Sequence, residues 1–347
     1  YGPDTQKTCF TSVHQLPPGS FLVHNIGKSP SIHKYWEPIK FRSGIENISD
    51  IESVQERFFI LFRRAIRRRL QGKHNSGVYV SGGLDSSAIA AILSEYESKT
   101  TCFSIQFENN DYDESHYQQI LLAALKIPHY SIFIKDIDIV SNLIETVWHT
   151  EVPLTRTAAI PMFLLSKIIS KNGIKMVLSG EGADEILAGY PVFRENQSSV
   201  TSKLIHSNKI FSLLTNSIPL RGKIDSKINT YLLHLNKSSL NILQVIEIQT
   251  KLSRYLLATQ GDRVSMGHGV EQRYPFLDED LVDFVSTLSD EFLISKDKSK
   301  CILKNAMMSR LPSEIVQRPK KGYLSPNGSL INNYKKTILA IHKKFFP

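Results

Sequence analysis

Four stretches of this 347-residue chain carry side chains suited to phosphate and carboxylate chemistry. The first is Ser81-Gly82-Gly83-Leu84-Asp85-Ser86-Ser87, which follows the apolar run 78–80 and precedes an Ala/Ile/Leu run at 88–93. A buried-strand signal, two glycines free to turn tightly and a run of helix formers read as strand, turn and helix N-terminus. Such a turn points unpaired backbone N–H groups and the positive end of a helix dipole at an anion. The serine hydroxyls add donors, and Asp85 is suited to hold a Mg²⁺ that phosphates also ligate. No Gly-Lys-Ser/Thr follows the glycines, so this is not the Walker arrangement.

The second stretch, Ser179-Gly180-Glu181-Gly182-Ala183-Asp184-Glu185, repeats the pattern of strand, Gly-rich turn and helix. Its three carboxylates repel one another unless a divalent cation or a basic partner intervenes; an acidic surface turn is the alternative. In the third, Glu271 and Arg273 stand two apart and share one face of an extended segment, as reactive groups or as a simple ion pair. The fourth, Gln317-Arg318-Pro319-Lys320-Lys321-Gly322-Tyr323, presents cations on a loop bounded by Pro and Gly. A loop that closes can carry such a cation to developing negative charge; a basic surface loop is the alternative.

Around these stretches the pattern alternates. A helix over 50–71 leads to the first strand, and further strands are predicted at 101–107, 129–134 and 175–178. Helices are predicted over 112–125, 137–148 and 158–170. This rhythm predicts an α/β fold, a parallel sheet flanked by helices with ligands at the carboxyl ends of its strands, and a helical C-terminal part. The Ser-, Asn-, Lys- and Leu-rich region 200–250 reads as helices or loops beside the sheet, without evident chemistry.

Composition sets bounds. Hydrophobic residues at 41% and charged residues at 22% match a globular protein of one large domain or two ordinary ones. No apolar run approaches the roughly 20 residues of a membrane span, and no signal pattern opens the chain. Three widely separated cysteines form neither a disulfide framework nor a zinc spacing, so a reducing cytoplasm is expected. A net charge of +9 suits anionic ligands such as ATP as well as nucleic acid. The densest basic cluster, 63–69, lies opposite the apolar stripe of Phe58, Phe62 and Ile66 and reads as a solvated helix face.

Ser81–Ser87 resembles the pyrophosphate loop of the N-type ATP pyrophosphatases, which split ATP between its α- and β-phosphates and adenylate a substrate oxygen. Leu178-Ser179-Gly180-Glu181-Gly182-Ala183-Asp184-Glu185 resembles the signature of asparagine synthetases within that class. The stretch from Asp262-Arg263 to Glu271-Gln272-Arg273-Tyr274-Pro275-Phe276-Leu277-Asp278 and the Arg318–Tyr323 loop resemble two further blocks of the same family. Over about residues 10–330 the chain is therefore similar to the synthetase domain of glutamine-hydrolysing asparagine synthetases, which implies the PP-loop, adenine nucleotide alpha hydrolase-like fold. Leu16-Pro17-Pro18-Gly19 and Tyr35-Trp36-Glu37-Pro38 resemble the last strands of the family's N-terminal glutaminase domain. Residues 1–45 are thus expected to be a remnant of that domain and 46–347 the ATP-pyrophosphatase domain. The family's glutaminase nucleophile is an N-terminal cysteine; this chain opens on Tyr1. The ammonia-generating half is expected to be absent from it, or to lie in a separate domain or chain.

The resemblance implies a two-step reaction using ATP and Mg²⁺: a small-molecule carboxylate, aspartate in the parent family, is adenylated, and ammonia or an amine then displaces AMP. By the same resemblance Ser81, Gly82, Gly83, Ser86 and Ser87 bind pyrophosphate, and Asp85 and Asp184 hold the metal. Ile105, Ser179 and Gly180 frame adenine and ribose. Glu181 acts as base or orienter for the amine, Lys320 stabilises the oxyanion with Lys321 as its rival, and Glu271 and Arg273 join the catalytic set. Arg156 is a partner for the substrate carboxylate. Asp85→Asn or Asp184→Asn is expected to slow the reaction and to leave folding intact. Rival readings are an amide cyclase of the β-lactam-synthetase or lasso-peptide type, a tRNA-binding adenylating enzyme and a non-catalytic subunit. The β-lactam version carries tyrosine where Glu181 stands, and the tRNA version lacks its paired cysteines here. A membrane partner is not expected, nor is nucleic acid.

Overall fold

Short apolar runs alternating with longer helical segments produce, in the computed structural model, a five-stranded parallel sheet between two layers of helices. The structure describes residues 8–36, 51–72, 75–96, 100–194 and 239–345. Tyr1, the expected boundary at 45/46 and most of the 200–250 region lie outside the described residues. Strands β1 (Ser20–Val23) and β2 (Ser31–Lys34) pair antiparallel with each other, their side chains largely exposed.

Helix α1 (Ile51–Arg69) leads into β3 (Ser76–Tyr79), α2 (Leu84–Ser94), β4 (Thr100–Phe107), α3 (Ser115–Leu125) and β5 (His129–Ile134). Next come α4 (Asp136–Ser141), α5 (Leu143–Thr150), α6 (Ala159–Lys171), β6 (Met176–Leu178) and α7 (Ala183–Ile186). The single helix expected over 137–148 is two. The Asn142 side-chain amide donates to the Asp138 carbonyl at 2.8 Å, competing with the backbone ladder where α4 ends. Strand β7 (Glu271–Arg273), polar and short, completes the sheet in the order β5-β4-β3-β6-β7.

Period-two alternation divides the core between the two faces of the sheet. Val78, Val80, Cys102 and Leu178 pack on the side of α1 and α2. Tyr79, Phe103, Ile105 and Val177 pack with Ile160, Leu165 and Ile169 of α6. Every residue of α2 from Leu84 to Leu93 is buried. Its polar first turn, Asp85 to Ser87, lies at the site end, and from Ala88 to Leu93 it is apolar all round, as suits a helix inside the molecule. The C-terminal part is helical, as expected, and includes two consecutive π-helical stretches, Ile248–Leu256 and Ala258–Arg263. π-helical turns widen a helix and cluster at functional sites; here they carry Lys251, Leu256 and Gln260 to a cavity wall.

The basic face of α1 differs from expectation. Arg64 reaches Asp280, Arg68 reaches Asp278 and Asp280, and Arg69 pairs with Asp278. Phe62 stacks on Phe276 at 4.7 Å. These arginines fasten α1 to the Pro-Phe-Leu-Asp segment instead of facing only solvent.

Candidate active site

The carboxyl ends of β3, β4 and β6 open into one cavity of about 450 Å³. From β3 the chain steps outward through β4 to β5, then returns to place β6 on the other side of β3. The β3/β6 border is therefore where strand order reverses, the place where open α/β sheets bind ligands.

Ser81, Gly83, Asp85 and Ser86 line this cavity. The Ser81 amide donates to Ser86 Oγ at 3.2 Å and the Gly83 amide to Ser81 Oγ at 3.2 Å, which curls the turn on its own hydroxyls. Gly82 has φ +73°, and a Cβ there would lie 2.5 Å from the Tyr117 Cβ, so the turn needs glycine for conformation and for room. Gly82 and Ser87 do not line the cavity; the Ser87 side chain is buried in α2. The expected pyrophosphate set is thus brought together only in part, with Gly82 and Ser87 serving the packing behind it.

Ser179, Gly180, Glu181 and Asp184 line the facing wall. A Cβ on Gly180 would sit 3.1 Å from the Ser86 amide nitrogen, which measures how closely the two Gly-rich turns meet. Between them lies a ring of alternating charge. Lys300 Nζ donates to both Asp85 oxygens at 2.6 Å and lies 2.6 Å from Asp184 Oδ1. Lys320 Nζ lies 2.5 Å from Asp184 Oδ2 and 3.4 Å from Asp85 Oδ2. The Lys300, Asp85 and Asp184 side chains are only 4%, 11% and 13% exposed. Gly189 leaves them room, because a Cβ there would overlap Asp184 Oδ1 and Lys300 Cε at 2.1 Å.

The three carboxylates of the second turn have different charge states. Burial works against ionised Asp184, yet the Lys300 and Lys320 ammoniums outweigh it and hold its pKa at about 2. Burial pushes Glu181 up to about 7, against the pull of Lys320. Burial, with the Asp184 charge, pushes Glu185 up to about 8; it accepts the Tyr190 hydroxyl at 2.6 Å and does not line the cavity. Near neutral pH one is a fixed anion, one is poised to gain or lose a proton, and one is a neutral buried acid. Environments that separate like groups in this way assign acid and base roles. Lys320, which burial alone would discharge, is held protonated by Asp184 and Asp85.

Asp85 and Asp184 supply the oxygen donors that a hard divalent cation prefers, but the Lys300 and Lys320 ammoniums already engage them. Such an ion would share these carboxylates with two cations and take its remaining ligands from phosphate oxygens. Among the described residues no group of three or more acidic, His or Cys side chains forms a metal cluster, so such an ion would depend on the phosphates.

Ile105 lines the cavity, with its carbonyl already accepting the Gln118 amide at 2.9 Å. Arg156 also lines it and donates to the Tyr323 carbonyl at 3.2 Å. Glu271 and Arg273 do not reach it. On the edge strand β7, Arg273 binds Glu271 at 2.8 Å and donates to the Arg69 and Gln71 carbonyls at 2.7 and 2.9 Å. A cation there satisfies the orphan carbonyls ending α1. The structure places the pair outside the cavity, as a clasp between helix and sheet.

Sequence reading missed Lys300, Gln260 and Gly189. Lys300 sits in the run Lys296-Asp297-Lys298-Ser299-Lys300, which reads as solvated charge. Its left-handed backbone, φ +54°, is a conformation that packing must impose. Gln260 Nε2 approaches Glu181 Oε1 at 3.5 Å from a π-helix that no periodicity announces.

The family model described as asparagine synthase matches residues 58–341. The chain is 26% identical to amidase chry2 of Gibberella zeae, over 92% of this chain and 59% of that protein. It is 28% identical to glutamine-hydrolyzing asparagine synthetase 1 of Bacillus subtilis, over 72% and 46%. With a probable glutamine-hydrolyzing asparagine synthetase of Acanthamoeba polyphaga mimivirus it shares 26% identity over 96% and 57%. A solved NMN synthetase of Francisella tularensis is 14% identical over 68% of this chain and 92% of that one, with a TM-score of 0.28. The chain spans about half the length of the curated relatives it matches. With the family model running from α1 through both Gly-rich turns to the loop of Lys320, the chain belongs to the asparagine synthase family.

Proposed function

We propose that this chain is an ATP-dependent amide-forming ligase that adenylates a small-molecule carboxylate, aspartate in the parent family, and transfers ammonia or an amine to it. One observation carries the reading: two Gly-rich turns meet at the topological switch point around Asp85, Asp184, Lys300, Lys320 and Glu181.

In the first step a carboxylate oxygen attacks the α-phosphorus, and the bond to the β-phosphate bridge breaks, releasing pyrophosphate. Ser81, Ser86 and the backbone of Gly83 bind the leaving phosphates, and Lys300 and Lys320 neutralise the charge that grows on them. Arg156 orients the acceptor. A Mg²⁺ held by Asp85 and Asp184 would supply Lewis-acid stabilisation of the same charge. In the second step nitrogen attacks the acyl carbon, the bond to AMP breaks, and Glu181 takes the proton that nitrogen loses. An amide cyclase differs only in carrying the amine on the acceptor itself, and Glu181 at the tyrosine position opposes its β-lactam version. Against a tRNA substrate stand Arg64, Arg68 and Arg69, already engaged by Asp278 and Asp280. No helix among the described residues is long and apolar enough to cross a membrane.

Incubation with MgATP, aspartate and ammonium should release pyrophosphate and AMP; ADP and orthophosphate would refute the reading. The pH dependence follows from Glu181. Its basic form dominates only above about 7. Amide formation at fixed free ammonia is therefore expected to rise through that pH and level off, while pyrophosphate exchange lacks the inflection. Glu181→Gln should remove the inflection together with most of the amide product; an unchanged profile would assign the base elsewhere.

A further inference from the structure

The loop that brings Lys320 to Asp184 is fastened unevenly. Downstream, Arg156 donates to the Tyr323 carbonyl at 3.2 Å, and the Thr157 amide donates to Asn327 Oδ1 at 2.9 Å. At the tip Lys320 is held by Asp184 and Asp85 across the cavity, while Lys321 donates to the Asp111 carbonyl at the surface and Gly322 has open space where a Cβ would lie. Upstream, one contact dominates. Arg318 Nη2 lies 2.5 Å from Glu114 Oε1, with side chains only 7% and 12% exposed, and the guanidinium sits 3.8 Å over the Tyr117 ring. Pro319, with its restricted φ, is the only residue between Arg318 and Lys320.

Glu114 immediately precedes α3, and the first turn of that helix touches three walls of the cavity. Tyr117 packs on Gly82 of the first turn, Gln118 binds the Ile105 carbonyl at the end of β4, and Glu114 holds the loop. A ligand settling on the first turn and on β4 therefore presses on the helix start that anchors Lys320.

We propose that Glu114 and Arg318 are positioning residues: their buried ion pair latches the 317–324 loop over the cavity and links loop closure to nucleotide. The task assigned to Lys320 rests on the function proposed above; the latch itself rests on geometry. An ion pair this buried is costly to break, since either partner alone is left as an uncompensated buried charge.

Limited trypsin digestion of the full chain reads the latch without turnover. Trypsin cuts after Lys320 and Lys321, whereas the bond after Arg318 resists because Pro319 follows. Wild-type protein should be cut slowly within the loop, and more slowly with ATP. Glu114→Gln and Arg318→Gln should each speed loop cleavage about ten-fold or more and abolish the protection by ATP. The double variant should be no faster than either single one, because both remove the same interaction. Arg318→Lys should fall between, keeping the charge and losing the planar fork. Unchanged cleavage in both single variants would overturn the latch. So would equal acceleration at sites remote from the loop, which would mean general loosening, or absence of ATP protection in the wild type. If the wild type releases no pyrophosphate, the proposed function fails while the digestion still decides the latch.

Discussion

Lys320→Ala is expected to slow pyrophosphate release by about 10²–10⁴-fold and to leave ATP affinity nearly unchanged. The two effects separate because different elements supply them. On the proposed function, ATP would be bound by the turns at Ser81 and Ser179 and by the apolar wall of Phe103, Ile105 and Phe107, which line the cavity. Lys320 comes from a separate loop and meets the site only through Asp184 and Asp85. Its contribution grows as charge develops on the phosphoryl oxygens and later on the carbonyl oxygen, so it acts on rate. Removing it leaves Lys300 alone against two buried carboxylates, so the variant should also lose stability, and its rate is compared at a temperature where it remains folded. Lys320→Arg should rescue poorly, because a planar fork does not replace a compact ammonium seated between two carboxylates. Lys321→Ala should be mild, since that ammonium donates to the exposed Asp111 carbonyl. Pyrophosphate release and calorimetric ATP binding on the three variants check this. Equal losses at both lysines would mean a diffuse electrostatic role, and loss at Lys321 alone would move the catalytic cation by one residue.

Sequence carried the parts of this site that are local. The Ser81 and Ser179 turns each announce themselves within ten residues, because strand, glycines and helix former follow in order and each type has its own physical signal. The parallel sheet followed from the same alternation, and its switch point fixed which strand ends would meet. What stayed hidden was long-range pairing. Glu271 and Arg273 look reactive in a line of letters; only the placement of β7 beside the end of α1 turns them into a clasp. Lys300 looks like one more solvated lysine, and its role depends on a left-handed residue that brings it between two aspartates far away in the chain. The arginines of α1 lie opposite its apolar stripe, as the periodicity predicts, but no local pattern shows that Asp278 and Asp280 meet them there.

Asp184→Asn is expected to cost stability as well as rate, which corrects the view that an isosteric change at this turn leaves folding untouched. That view treats the turn as solvent-accessible; the side chain is 13% exposed and lies against two ammoniums. With asparagine there, Lys300 and Lys320 share only Asp85, and one buried cation goes uncompensated. Breaking a buried pair from one side costs about 3–5 kcal/mol, roughly 4–7 °C in melting temperature for a chain of this size. The pH dependence has a definite sign. The folded-state pKa of Asp184 is about 2, below its ordinary 3.8, so its ionised form adds stability above the ordinary value and loses it as pH falls toward 2. The gap between wild type and variant should therefore be full at pH 7 and shrink as pH drops below about 4. ATP discriminates further. Its phosphates bring back the negative charge that asparagine removes, so saturating ATP should raise the variant's melting temperature by more than the wild type's. Turnover should still fall by about 10²–10⁴-fold, because the phosphates being stabilised cannot also replace the carboxylate that organises the cations around them. Thermal melts across pH, with and without ATP, test every part of this. Identical melting of variant and wild type at pH 7 would mean that the two lysines find water in solution and that the charge ring does not hold the site together.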